Sequence, residues 1–176
     1  KGEMFIVSPS GFTSVIRKID ESNIMRKVLG TVDKHYLKSI SKSKYKGRAQ
    51  TGELAILTTF SDIAFDQKGN MFISDRLNHQ IRKVSASGEI STIAGTGESA
   101  HYGDGGPASE AAFRDPSSLT TDKEGNLYIA DGANNMIRKI DTKGIVTTIA
   151  GNGNHENSGD GGPAHRICLS RACSIW

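Results

Sequence analysis

The stretch "GNMFISDRLNHQIRKV" at Gly69–Val84 returns as "GNLYIADGANNMIRKI" at Gly125–Ile140, 56 residues further on. The same offset carries "STIAGTG" at Ser91–Gly97 onto "TTIAGNG" at Thr147–Gly153, and "GDGGPA" at Gly103–Ala108 onto an identical string at Gly159–Ala164. Residues 64–119 and 120–175 share about 22 of 56 identities without a gap. Self-similarity at one period is the mark of a repeat architecture. A weaker copy lies upstream. "GEMFIV" at Gly2–Val7 matches "GNMFIS" at Gly69–Ser74, "IRKI" at Ile16–Ile19 matches the later IRK strings, and "LGT" at Leu29–Thr31 matches "AGT" at Ala94–Thr96. That copy lacks the leading strand and lacks GDGGPA, and Ser8 stands where the other copies have Asp75 and Asp131.

Each full copy predicts four short strands. They cover roughly 60–65, 70–75, 79–85 and 89–95 in the second copy, and 116–121, 126–131, 135–141 and 145–151 in the third. β-Branched and aromatic residues fill these segments, and turn residues separate them. "QKGN" at Gln67–Asn70 and "KEGN" at Lys123–Asn126 are tight turns that require glycine at positive φ. Apolar residues sit at both parities, as in "LYIA" at Leu127–Ala130, so each strand is covered on both faces. Four-stranded antiparallel sheets stacked about an axis are the blades of an all-β propeller.

The strings "GNLYIAD", "NNMIRKI" and "TTIAG" and the Asp-x-x-Gly-Asn turn resemble the NHL repeat over nearly the whole chain. The TIAG-x-G…GDGGPA form is similar to the long-loop NHL repeats of multi-repeat proteins and of teneurins. Departures are present: Pro116–Ser117–Ser118 and Ala172–Cys173–Ser174 replace the usual Pro-x-Gly ahead of the first strand. The resemblance implies a propeller, commonly of six blades. About three repeats are present here, a partial propeller. Residues 1–31 are expected to form an incomplete first blade, 32–56 a basic inter-blade insertion, 57–115 a second blade, 116–171 a third, and 172–176 the start of a further one. The chain is therefore expected to be a piece of a longer protein, and alone to associate with itself or aggregate through its open sheet faces.

Lysines and arginines number 22 against 19 acidic residues, a net charge of +3. Six of the cations and no acid lie between Lys34 and Arg48, which leaves 16 basic against 19 acidic residues elsewhere. The basicity is thus one local patch. Cys168 and Cys173 form neither a disulfide framework nor a metal signature, and are expected to be small buried residues. No apolar run reaches membrane-spanning length. The compartment is undetermined, with an extracellular or cell-surface location favoured over a cytoplasmic one.

Up-and-down connectivity puts alternate connections on one face. The corners Asp75–Gln80 and Asp131–Met136, the loops 96–112 and 152–168 and the segment 32–56 should share it. Candidate binding residues there are Arg76, His79, His101, Tyr102, Asn134 and Asn135, with Lys42, Lys44, Tyr45, Lys46 and Arg48 from the basic segment. That segment interleaves cations with Tyr36 and Tyr45, a composition suited to RNA, against the alternative of a solvated insertion.

Candidate structural residues are Asp75 with Arg82 and Asp131 with Arg138, since an Arg in a covered strand needs a partner. Asp104 and Asp160 are expected to bond nearby backbone amides in the GDGGPA turn, and Pro107 and Pro163 to open a short helix. The hexapeptide matches no phosphate-loop fingerprint and no calcium loop. His35, His79, His101, His155 and His165 fall at non-equivalent repeat positions, and no nucleophile has a motif-level partner. No catalytic residue, cofactor or metal is assigned. The expected function is a non-enzymatic scaffold that binds a protein or carbohydrate. RNA binding through 34–48 is the alternative, and an enzyme whose site lies in other blades a second one.

Overall fold

The computed structural model describes residues 4–10, 13–19, 24–29, 50–51, 62–156, 159–170 and 175. The basic candidates Lys42, Lys44, Tyr45, Lys46 and Arg48 lie outside them. Strands run in three antiparallel sheets. The first has the order β1–β2–β3, from Met4–Ser10, Thr13–Ile19 and Met25–Leu29. The second has five strands: β4 (Gln50–Thr51), β8 (Glu89–Ala94), β7 (Gln80–Val84), β6 (Met71–Asp75) and β5 (Ile63–Phe65), in that spatial order. The third runs β12 (Val146–Ala150), β11 (Met136–Ile140), β10 (Leu127–Asp131) and β9 (Pro116–Thr121). Successive strands pair as hairpins, the up-and-down pattern expected of propeller blades.

Residues at both parities of β6 are buried, all five from Met71 to Asp75, as an element covered on two faces requires. Ala64, Phe72, Ile81 and Ala94 from the second sheet meet Leu119, Leu127, Ile129, Ile140 and Val146 from the third in one cluster. Ala108, Ala111 and Phe113, from the loop between the sheets, complete it. The connecting loop thus supplies core.

Two local devices set the repeat. In the Asp-x-x-Gly-Asn turn, Asp66 Oδ1 accepts the N–H groups of Lys68 and Asn70, both at 2.9 Å, and Gly69 adopts φ +78°. Asp122 and Gly125 repeat the arrangement, with Asn126 N–H at 2.7 Å from Asp122 Oδ1. The second device is the TIAG bend. His79 and Asn135 close their corners in the left-handed region, at φ 55° each. The backbone of the fourth strand passes against them: a Cβ on Gly151 would lie 2.2 Å from Asn135 O and 2.9 Å from Met136 Cα. Gly95 stands in the same relation to His79 O, at 2.4 Å. Glycine is required there by contact as well as by φ.

The strand β4 falls inside the expected insertion. It pairs with β8 through Gln50↔Ile90 and Thr51↔Glu89. In the third sheet the same outer edge is covered by GDGGPA. Gly105 N–H donates to Val146 O at 2.8 Å, Val146 N–H to Gly106 O at 3.1 Å, and Ala108 N–H to Gly144 O at 2.8 Å. Pro107 bridges to Ile145. Each of these positions lies 56 residues after its counterpart around β4. Gln50–Thr51 therefore occupies on the second sheet the place that Gly106–Pro107 occupies on the third. The short helices also differ from expectation. Ala108–Glu110 and Ala164–Arg166 are single 3-10 turns, and Pro107 and Pro163 precede them in extended conformation, ψ 133° and 131°.

Gly151→Ala should lower unfolding free energy by well over the roughly 1 kcal/mol typical of a misplaced positive-φ substitution. Gly144→Ala, with φ +81° and nothing within 4 Å of its added Cβ, should cost about 1 kcal/mol. Urea denaturation of the two variants checks the difference.

Candidate functional site

The site grows from Arg138. It sits on β11 with only 1% of its surface exposed. A guanidinium so buried must satisfy all its donors. Its Nε and Nη2 donate to Asp104 Oδ1 at 3.1 and 2.7 Å. Nη1 donates to Ala112 O at 3.3 Å and to Asp131 Oδ2 at 3.4 Å, and Nη2 also reaches Tyr102 O at 3.3 Å. The cation stands 5.3 Å from the Phe113 ring centroid. One side chain of the third sheet therefore binds its own corner and three residues of the incoming loop.

Asp104 has a second contact: Oδ2 accepts the Thr148 N–H at 3.0 Å. Its partners lie 34 and 44 residues on, so its expected role in a local turn is corrected to a cross-sheet strap. Burial alone would raise its pKa; the bonds from Thr148 and Arg138 outweigh that and hold it below the ordinary value. Asp131 is the opposite case. Burial pushes its carboxyl up to about 6, against the pull of bonds from the Asn134 amide, the Arg114 N–H and Arg138.

In the second sheet Arg82 Nε donates to Asp75 Oδ2 at 3.0 Å, and Nη1 bonds the Thr92 hydroxyl. The residue in register with Asp104 is Arg48, which lies outside the described residues. Asp160 is exposed and bonds no described residue. Its loop nonetheless copies the first one: Gly159 and Gly161 adopt φ 98° and 82°, against 95° and 80° at Gly103 and Gly105.

The corners and loops gather on one side. Arg76 Nη2 lies 2.7 Å from Asp115 Oδ2, and Asp115 N–H donates to His79 Nδ1 at 3.3 Å. Arg114, beside it, donates its N–H to Asp131 Oδ1 at 2.7 Å and accepts the Ala133 N–H at 3.0 Å. Asn134 Nδ2 donates to Asp131 Oδ2 at 2.8 Å and to Ala100 O at 2.9 Å. Asn135 Nδ2 donates to Gly153 O at 3.3 Å and meets His155 Nδ1 at 3.0 Å. Asn134 and Asn135 are 8% and 1% exposed, so these amides hold the corner and do not present a surface. That corrects their expected place among binding residues. His101 and Tyr102 are exposed, Tyr102 with its hydroxyl 2.8 Å from Glu98 Oε2. Leu77, at the tip of the second sheet's corner, is 52% exposed and was not a sequence candidate.

Asp62 was also missed. Its Oδ2 accepts the Ser118 hydroxyl at 2.7 Å and the Leu119 N–H at 2.9 Å, tying the innermost strands of the two sheets together. The available signal was its register with Ser118: a charge in one copy stands where a hydroxyl stands in the next. Cys168 is partly exposed, with the Asn152 amide 3.3 Å from its Sγ, which departs from the expected buried thiol. Among the described residues no three His, Cys, Asp or Glu side chains are placed to hold a metal, and no helix is long and apolar enough to cross a membrane.

Antiparallel up-and-down sheets joined by straps and shared inner strands define β-propeller blades. Solved structures agree. A protein of unknown function from Bacteroides thetaiotaomicron superposes with a TM-score of 0.57 at 16% identity, over 98% of this chain and 50% of its own. An auxiliary nutrient binding protein from the same organism gives 0.51 at 20% identity, over 72% of this chain and 32% of its own.

Residues 95–166 match the family model of the teneurin NHL domain. Teneurin-1 of Gallus gallus is 38% identical over 95 residues, 47% of this chain, and Teneurin-m of Drosophila melanogaster 34% over 102 residues, 51% of this chain. The aligned parts make up 3% and 4% of those proteins.

Arg138→Met leaves Asp131 buried beside no cation and should lower stability by about 3 kcal/mol. Asp104→Ala, at a half-exposed position, should cost about 1 kcal/mol. Thermal unfolding of both variants checks the order.

Asp131 also sets a pH dependence. Its folded pKa of about 6 lies above the unfolded 3.8, so its contribution is fully present below pH 3.8 and is lost as pH rises through 6. Between those values the wild type should lose up to about 3 kcal/mol relative to Asp131→Asn. Parallel urea titrations of the two proteins across that window measure the loss, and a flat difference contradicts it.

Proposed function

We propose that this chain is part of a non-enzymatic propeller scaffold that presents its loop-rich face to a protein or carbohydrate partner. The observation that carries the reading is the rigid display of exposed groups on that face. Leu77, His101 and Tyr102 stand on corners and loops whose backbones are tied by the bonds of Asp115, Asp131 and Asn134. An aromatic, an aliphatic and an imidazole group held at low entropic cost form a surface suited to docking. Arg76 and His79 flank it. The residues near the corners are engaged in structural bonds, with no arrangement of nucleophile and base among them, which supports binding over catalysis.

RNA binding through Lys42, Lys44, Tyr45, Lys46 and Arg48 is the competing reading, supported by the charge of that segment alone.

The two are separated by one set of binding measurements. The chain is immobilised and probed with a glycan array, a panel of ectodomains and single-stranded RNA at several salt concentrations. Leu77→Ala with Tyr102→Ala should weaken the protein or glycan signal about tenfold or more and leave folding intact. RNA binding that falls steeply with salt and disappears on neutralising Lys42, Lys44, Lys46 and Arg48 overturns the proposal.

A further inference from the structure

The two full copies separate the residues that the frame requires from those it does not. Asp75, Arg82, Gly95 and Pro107 return unchanged 56 residues on, as Asp131, Arg138, Gly151 and Pro163. The junction between the second and third sheets carries a different set. Arg76, Leu77 and His79 give way at that offset to Gly132, Ala133 and Asn135, and Tyr102 and Arg114 to Ser158 and Ser170. The third sheet closes the same corner, with the same left-handed φ of 55°, using glycine, alanine and asparagine. Folding therefore has no need of the larger side chains at the second corner. The junction lies inside the chain, with β5 and β6 packed on β9 across it.

These side chains are brought together at Arg114 and Asp115. The Arg114 main chain is fixed on both sides: its N–H donates to Asp131 Oδ1 at 2.7 Å, and its C=O accepts the Ala133 N–H at 3.0 Å. Asp115 adopts φ 56° directly ahead of Pro116, a costly conformation for a residue before proline. The second corner holds it there, with Arg76 Nη2 2.7 Å from its Oδ2 and His79 Nδ1 3.3 Å from its N–H. Ser99 pairs with Phe113 and Tyr102 with Ala112, so the loop that carries Tyr102 runs beside the residues leading to Arg114. Arg114 is exposed, and its guanidinium bonds no described residue. The acids around it are engaged: Asp115 by Arg76, and Glu98 by the Tyr102 hydroxyl at 2.8 Å. Leu77, next to Arg76, is 52% exposed, and Tyr102 is 43% exposed.

We infer that this junction docks a protein segment in which an apolar side chain stands beside a carboxylate, the carboxylate on Arg114 and the apolar group on Leu77 and Tyr102. The inference rests on the binding role proposed above and narrows its partner to protein. A planar guanidinium takes a carboxylate through two parallel N–H bonds. Its main chain is already ordered, which lowers the cost of holding the side chain for a partner. Arg and Tyr are also the residues that carry much of the energy at protein interfaces. A sugar fits less well, because its hydroxyls need side-chain amides and carboxylates to bond. Here the amides of Asn78, Asn134 and Asn135 donate to Asp75, Asp131 and Gly153, and the Asp115 carboxylate is held by Arg76. A half-exposed leucine gives a sugar hydroxyl no bond, but it gives an apolar side chain a surface to cover.

Titration of the whole chain at several salt concentrations tests this. The probes are a labelled peptide library with leucine or phenylalanine fixed between glutamates, the same library with lysines in place of the glutamates, and glucuronate oligosaccharides. The glutamate library should bind about tenfold or more tighter than the lysine library, and should weaken as salt rises. Arg114→Glu should abolish that preference, and Arg114→Lys should keep part of it. The bonds that fix residue 114 are main-chain, so circular dichroism should show both variants folded. Leu77→Ser should weaken the glutamate library about fivefold or more and leave its salt dependence unchanged. No preference for glutamate over lysine, a preference that persists in R114E, or binding of the oligosaccharides in place of the peptides overturns the inference. An ectodomain or glycan signal that survives Leu77→Ala with Tyr102→Ala contradicts the face as a binding surface. A signal lost in that double variant and kept in R114E contradicts the carboxylate assignment alone.

Discussion

A buried guanidinium cannot be left without acceptors, and Arg138 obtains them from two directions. Asp131 comes from the corner of its own sheet, and Asp104, Ala112 and Tyr102 come from the loop that arrives from the sheet before. Loss of either source leaves a charge in an apolar setting beside Phe113. The loop of 96–115 is therefore fixed in place as firmly as a strand. Ala108, Ala111 and Phe113 enter the core because that loop is held there. The corners that carry Leu77, His79 and Asn135 then acquire defined positions relative to Tyr102 and Asp115.

The repeat was legible because two backbone constraints recur at one spacing. The positive-φ turn at Gly69 and Gly125 and the contact-limited bend at Gly95 and Gly151 each admit glycine and little else. Strand limits followed within a residue or two at most ends. The pairing of Asp75 with Arg82, and of Asp131 with Arg138, was accessible from hairpin geometry, since both partners lie on adjacent strands seven residues apart.

Contacts between sheets were less accessible. A Gly-Asp-Gly-Gly string satisfies the local rules for a turn at Asp104, and nothing local distinguishes a carboxylate that turns back from one that reaches Thr148. The strap at Gln50–Thr51 was hidden for a related reason. Its pairing with β8 is main-chain, and main-chain bonds impose no side-chain pattern by which Gln50–Thr51 could be recognised. A corner position in the sequence does not separate an exposed Asn from a buried one; the left-handed φ of Asn135 and the burial of both amides assign Asn134 and Asn135 to the frame.

The central claim is that the strap Gly103–Ala108 is part of the third sheet and is not a surface loop. Native-state hydrogen exchange at the Gly105, Ala108 and Val146 amides tests it most directly. If the strap is a sheet element, these three amides exchange with the same opening free energy as the β10–β11 ladder, and all become labile together in Arg138→Met. Exchange of Gly105 and Ala108 at the rate of an exposed loop, with β10–β11 still protected, would contradict the account.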